Sequence, residues 1–160
     1  MTEKMKDIIK QAITAPLSEQ IAMDAFTEIM TGKALEGQIA GFLIALKSRG
    51  ETVTEIKAAA KTMLNNCNKI SAPENAIDIV GTGGDGKNSL NISTAAAIVL
   101  ASMGIKVAKH GNKAVSSNCG SADVLQELKI NINLKPDEAE KSINEFNFAF
   151  MFAPNYHSAM

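Results

Sequence analysis

The sequence predicts an α/β protein: a small all-helical N-terminal lobe followed by a parallel-sheet domain. Three observations carry this reading. Helical periodicity recurs four times ahead of the segment SAPEN (Ser71 to Asn75); beyond it, short apolar runs alternate with helical ones; and both glycine-containing polar clusters directly follow such short runs. A chain of 160 residues can bury one ordinary core, or one core and a small satellite. Placing the linker at the change of pattern gives a helical domain at residues 1–72 and the first part of an α/β domain at 73–160.

In the helical lobe, Met5, Ile8, Ile9, Ala12 and Ile13 make the first stripe, closed by Pro16. Ile21, Ala25 and Ile29 make the second, ended by Gly32, and Ile39, Phe42, Leu43 and Leu46 make the third, closed by Lys47, Arg49 and Gly50. Thr52 and Glu55 have capping-box spacing ahead of a fourth stripe, Ile56, Ala59, Ala60 and Met63. The third helix is also apolar between its stripe residues, at Ala40, Ile44 and Ala45. Such a helix is either buried within its own lobe or part of a subunit interface. Beyond the linker, Ile77 to Val80 reads as a buried strand, Ile92 to Met103 as an Ala-rich helix, Ile105 to Lys109 as a second strand and Ser121 to Leu128 as a helix. Pro136 opens a further helix at its first position, with Asp137 and Glu138 in the first turn, and Phe148 to Phe152 reads as the third strand.

Composition excludes several function classes. A formal net charge of -1, 46% hydrophobic residues and no tryptophan argue against disorder and against a stacking groove for nucleic acid. Cys67 and Cys119 share no CxxC spacing, so neither a disulfide framework nor a zinc site is indicated, and two thiols suit a reducing cytoplasm. The N-terminus alternates charges with isoleucines and no apolar run could span a bilayer. The expected protein is cytoplasmic, with no nucleic-acid or membrane partner.

The first cluster is DIVGTGGDGKNSLNIST, Asp78 to Thr94. Glycines at Gly81, Gly83, Gly84 and Gly86 let backbone N–H groups approach an anion, and Asn91, Ser93 and Thr94 stand at the start of a helix, where unbonded N–H groups favour phosphate. Gly81, Gly86 and Lys87 have P-loop spacing, but Asn88 stands where that motif places a magnesium-binding hydroxyl, and Asp85 puts a carboxylate inside an anion cradle. That carboxylate suits sugar hydroxyls or a metal-bound water better. A tight turn without ligand would need fewer of these residues. The second cluster, KHGNKAVSS from Lys109 to Ser117, adds the cations Lys109 and Lys113, the hydroxyls of Ser116 and Ser117, and Gly111 for close approach. In open parallel α/β sheets ligands sit beyond the strand C-termini, so two such loops there could enclose a diphosphate.

These stretches, with GSADVL (Gly120 to Leu125) and FAPNYHSAM (Phe152 to Met160), closely resemble the anthranilate phosphoribosyltransferase family, and the resemblance spans the whole chain. It implies a fold of the nucleoside phosphorylase/phosphoribosyltransferase type, incomplete at the C-terminus. It also implies magnesium-dependent transfer of phosphoribose from phosphoribosyl pyrophosphate to anthranilate, a step of tryptophan biosynthesis, and a homodimer formed through the helical lobe. By the same resemblance Gly81, Gly84, Asp85, Ser89, Asn91, Ile92, Ser93 and Thr94 would bind phosphoribosyl pyrophosphate, with Ser93 also reaching Mg2+. Lys109, His110, Gly111, Asn112, Lys113, Ala114, Val115, Ser116, Ser117 and Ser121 would complete the cradle. Gly81, Asn112, His110 and His157 would lie beside anthranilate, and no residue is assigned as a catalytic acid or base.

Two departures qualify the resemblance. Lys113 stands where the family usually has arginine, which keeps the charge but loses a bidentate fork. The family's chain is also much longer, and its carboxylate-gripping arginine and magnesium-holding Asp-Glu pair have no counterpart here; Asp137-Glu138 reads as the first turn of a surface helix. The expectation is an N-terminal portion carrying one wall of the site and unable to turn over alone. The rival readings are a pyrimidine nucleoside phosphorylase-like enzyme, marked by phosphorolysis of a nucleoside, and a non-catalytic dimerising or phosphate-binding module.

Overall fold

The computed structural model describes residues 3–81, 90–114 and 119–157. They form two compact units, the first running to Cys67 and taking in His157, the second covering Asn68–Tyr156.

In the first unit α1 (Glu3–Thr14) packs on α3 (Glu36–Arg49), and α2 (Glu19–Met30) on α4 (Val53–Asn65). Ser18 caps α2 through its hydroxyl, which accepts from Ile21 N. Gly50, at φ 88°, follows Arg49 in the left-handed region that glycine tolerates best. The core is Met5, Ile8, Ala12 and Leu17 with Ala22, Ala25, Phe42, Ala45, Leu46 and Ala58; the Phe26 and Phe42 rings meet edge-on at 5.4 Å.

Two stripes are rotated from their expected positions. Ile13 is exposed, and α4 turns Ile56 outward while burying Glu55, Ala58 and Thr62. For α4 the physical reason lies in its contact with α2. Ala22 and Ala25 face Ala58 in one core cluster, and small side chains let the two helices approach closely, which a large isoleucine on that face would prevent.

Glu55 enters the core because it has partners. Its Oε1 accepts from Leu17 N at 2.9 Å and Arg49 Nη2 at 2.6 Å, and its Oε2 accepts from Thr52 N and the Thr52 hydroxyl, both at 2.8 Å. Arg49 also donates from Nε to Ala12 O at 3.0 Å. The capping-box spacing of Thr52 and Glu55 is thus realised, and the same carboxylate ties the α1–α2 turn and the end of α3 to α4. Burial pushes this carboxyl up, but the N–H groups of Leu17 and Thr52, the Thr52 hydroxyl and the guanidinium outweigh it and set its pKa at about 2.

The second unit contains a parallel pair, β1 (Val107–Gly111) and β2 (Phe148–Phe152), in register from Val107 opposite Phe148 to Gly111 opposite Phe152. α5 (Ile92–Ser102) lays Ala97 and Ala101 against Val107; α6 (Ser121–Glu127) contributes Ala122 and Leu125 to a cluster with Phe150; α7 (Pro136–Phe146) places Ala139 and Ile143 against Ala108 and Ala149. Pro136 does occupy the first turn of α7, and Asp137 and Glu138 are exposed there. At the other end of α7, Lys106 Nζ donates to Ile143 O and Asn144 O at 3.1 and 2.9 Å, satisfying carbonyls the helix leaves open. A short α8 (Ala153–Tyr156) follows β2.

The strand at Phe148–Phe152 has the expected bounds, but the other two depart from expectation. The Ile77 to Val80 segment is not a buried strand: it joins β1 by a single parallel bridge, Ile77 to Val107, and Ile77 and Val80 are exposed. Regular pairing there stops because side chains of Asp78 and Lys109 take over the next hydrogen bonds. β1 lies two residues later than Ile105 to Lys109, so His110 and Gly111 are strand residues, held by pairing with Met151 and Phe152.

Candidate functional site

The Ile77 segment bridges β1 in the parallel sense, so Gly81 and the residues after Gly111 leave in the same direction, the latter from the C-terminal end of β1. Ligands in open α/β sheets bind at such ends. The described residues link the two exits at defined points.

Within the first cluster Gly81 lies beside the start of α5: a Cβ added to Gly81 would lie 3.6 Å from the Ser93 hydroxyl. Asn91 makes the link to the second cluster. It precedes α5 without capping it, and its Nδ2 donates 3.2 Å to Cys119 O at the far end of the second loop. Thr94 is buried, Ser93 half-buried and Ile92 exposed, so the first turn of α5 offers one hydroxyl beside Gly81.

Asp123 closes the second loop. Its Oδ2 accepts from Gly120 N at 2.8 Å and Ala114 N at 3.1 Å, while Asn112 O accepts from the Ser121 hydroxyl and Ala122 N, both at 3.2 Å. The two backbone N–H groups hold the Asp123 carboxyl below its ordinary range, with Lys113 adding attraction. Gly111 permits this closure, since a Cβ there would meet the Ser121 hydroxyl and the Phe150 ring, at 2.8 Å from Cε2. Its close approach is thus to the protein's own core. Asn112 Oδ1 accepts from Lys113 N at 2.8 Å, and Lys113 is exposed.

Lys109 is 2% exposed and donates from Nζ to Ile79 O at 2.5 Å. Burial pushes its ammonium pKa down, and the Asp78 carboxylate partly restores it. His110 N donates to Asp78 Oδ1 at 3.2 Å. Sequence reasoning gave no role to Asp78 or Asp123. Asp123 had a readable signal, an acid three residues after the glycine that precedes a helix; Asp78 had none, because its partner is a main-chain N–H on another strand.

The structure therefore brings together Gly81 with Ser93, Asn91 with the end of the second loop, Ala114 with Asp123, and Ser121 with Asn112. His157 pairs with Cys67 in an antiparallel bridge and belongs to the first unit, whereas His110 and Asn112 belong to the second. Gly84, Asp85, Ser89, Val115, Ser116 and Ser117 lie outside the described residues. Among the described residues no cluster of three or more His, Cys, Asp or Glu could hold a metal, and no helix is long and apolar enough to cross a membrane. The Ser93 hydroxyl could serve as one oxygen ligand of a hard cation whose other ligands come from elsewhere.

Residues 73–160 match the model of the glycosyl transferase family a/b domain, and residues 6–67 match that family's helical bundle domain. Among curated relatives, anthranilate phosphoribosyltransferase of Rhodospirillum rubrum is 54% identical over 157 residues, covering 98% of this chain and 45% of the relative. That of Bradyrhizobium sp. (strain ORS 278) is 49% identical over 159 residues, 99% of this chain and 47% of the relative. The crystal structure of anthranilate phosphoribosyltransferase from Thermus thermophilus superposes with a TM-score of 0.86 at 42% identity, over 96% of this chain and 47% of that one. The Saccharomyces cerevisiae enzyme in complex with PRPP and Mg gives a TM-score of 0.85 at 30% identity, over 100% of this chain and 49% of that one. The chain spans about half the length of the relatives it matches.

Proposed function

Since the chain belongs to the glycosyl transferase family, with its helical bundle domain followed by its a/b domain, we propose that it serves transfer of phosphoribose from phosphoribosyl pyrophosphate to anthranilate, the second step of tryptophan biosynthesis from chorismate. The observation that carries the reading is the link between two anion-suited clusters through Asn91 on Cys119 O, with Gly81 set against the Ser93 hydroxyl inside the first. The similarity to a yeast enzyme solved in complex with PRPP and Mg supports the choice of ligand.

In that reaction the bond from the anomeric carbon to pyrophosphate breaks, a bond to the anthranilate nitrogen forms, and the nitrogen sheds a proton. Negative charge grows on the departing pyrophosphate. The first turn of α5 and the second loop would hold that group in place, so positioning and charge neutralisation supply most of the catalysis. Magnesium, when bound through Ser93 and the phosphates, would neutralise part of that charge. A weakly basic aromatic amine needs no strong general base, and His110 is given none of that role.

Ligand-induced stabilisation tests the reading. Phosphoribosyl pyrophosphate with magnesium at about a hundred times its Kd should add about 2.7 kcal/mol, raising the unfolding midpoint by roughly 5 to 10 °C, whereas uridine should leave it unchanged. A shift with uridine and none with phosphoribosyl pyrophosphate would favour the nucleoside phosphorylase alternative.

We also propose that the helical lobe, residues 1–72, pairs with a second copy in the cytoplasm. Leu43 and Ile44 of α3 are 48% and 67% exposed, with Ile13 and Leu35 also outward, so the apolar surplus of this helix is not buried in its own unit. Sedimentation at several concentrations should show a dimer, and a strictly monomeric chain would contradict it.

A further inference from the structure

The hydrogen bonds joining the Ile77 segment to β1 cease to be those of a parallel ladder after one bridge. Ile77 N donates to Lys106 O and Ala108 N donates to Ile77 O, both at 2.9 Å. Continued at even spacing, a parallel ladder would next bond Ile79 N to Ala108 O and His110 N to Ile79 O. Among the described residues neither bond forms. Instead His110 N donates to Asp78 Oδ1 at 3.2 Å, and Ile79 O accepts from Lys109 Nζ at 2.5 Å. Both halves of one missing rung have been re-partnered, each by the side chain of the residue just before its natural partner.

This exchange carries a cost, because Lys109, a residue only 2% exposed, brings a charged group into the interior. A rung made through side chains is longer than a direct backbone rung. A side-chain carboxylate and a lysine ammonium take the places of a direct N–H to carbonyl bond, two residues before Gly81 and one before Gly111.

We propose that Asp78 and Lys109 are positioning residues whose side chains replace one rung of the ladder and set the spread between Ile79 and His110, hence between the mouths of the two loops. Asp78 acts through backbone placement and touches no ligand. The effect on binding rests on the phosphoribosyl pyrophosphate reading above, while the replaced rung itself does not.

Electrostatics and positioning predict opposite signs for Asp78 variants. If Asp78 acted only by its charge, removing it would strengthen binding of an anion, equally in Asp78→Ala and Asp78→Asn. If it acts as a spacer, Asp78→Asn, which keeps an acceptor for His110 N, binds inorganic pyrophosphate with magnesium as well as the wild-type chain or better. Asp78→Ala then binds at least about tenfold more weakly. Calorimetric titration of the 160-residue chain and both variants decides between them, and equal affinity of the two variants overturns the proposal. A second measurement needs no variant and no ligand: the scalar coupling across the hydrogen bond from the His110 amide nitrogen to the Asp78 side-chain carboxyl carbon. Its absence in the labelled wild-type chain overturns the replaced rung. Its presence in a chain that binds no pyrophosphate would leave the replaced rung standing and count against the functional reading instead.

Discussion

Glu55→Ala is expected to cost the helical unit about 3 to 5 kcal/mol, enough to remove most of the stability of a small domain. The loss comes from what the substitution strands. Arg49, whose side chain is 15% exposed, would keep a charge with no carboxylate, and the N–H groups of Leu17 and Thr52 would lose their acceptor. Glu55→Gln keeps the volume and an acceptor, so it should cost less. The wild-type chain has a pH signature from the same residue. Its carboxyl titrates at about 2 when folded and near 4.5 when unfolded, so its contribution is complete above the unfolded value and is lost as pH falls through the folded one. That contribution is about 3 kcal/mol. Urea unfolding between about pH 6 and about pH 2 should show the loss in the wild-type chain and a flatter profile in Glu55→Gln. Equal pH profiles would show that the carboxylate network contributes nothing.

The second large effect is expected from Gly120→Ala. Gly120 has φ -90° and ψ 174°, a conformation open to any residue, so the penalty is steric only. A Cβ there would collide with Ala114 N and Lys113 C and lie 2.9 Å from Asn112 O. All three are main-chain atoms of the second loop, which cannot swing aside as a side-chain tip can. The loop must open, weakening the two N–H bonds to Asp123. Overpacking of this kind costs about 1 to 3 kcal/mol, and affinity for phosphoribosyl pyrophosphate should fall at least about tenfold through displacement of the loop. Gly37→Ala in α3 serves as the control, since a Cβ there meets nothing within 4 Å. Denaturant unfolding and ligand titration of both variants check the pair, and a harmless Gly120→Ala would mean the loop has room that its backbone contacts deny.

How far these features could be read from sequence depends on which partner each residue has. Phe148 to Phe152 was legible because an apolar run after a helix, bounded by Asn147 in the left-handed conformation, has few alternatives to a buried strand. Helix α4 was legible as a helix but not in its orientation. Periodicity favours large apolar side chains, whereas packing on α2 selects small ones, and a buried Glu55 makes sense only when Arg49 and Leu17 N are seen to converge on it. The Ile77 to Val80 run looked like a strand because strand propensity sees the isoleucines. It cannot see that Asp78 and Lys109 will claim the bonds of the next rung. Glycine composition marked the loops correctly as places of close approach, yet Gly111 approaches the Phe150 ring and Gly120 approaches loop backbone. The approach partner is a property of the fold and is absent from any single stretch of sequence.

The proposed function requires that the loops following Gly81 and Gly111 hold phosphoribosyl pyrophosphate within this chain. Calorimetric titration of that ligand into the purified protein, with and without magnesium, tests it most directly. The expected result is saturable binding to a single class of site, tighter with magnesium, and weakened about tenfold by Ser93→Ala, which removes the hydroxyl beside Gly81. Absence of saturable binding, or binding indifferent to both magnesium and Ser93, would contradict it.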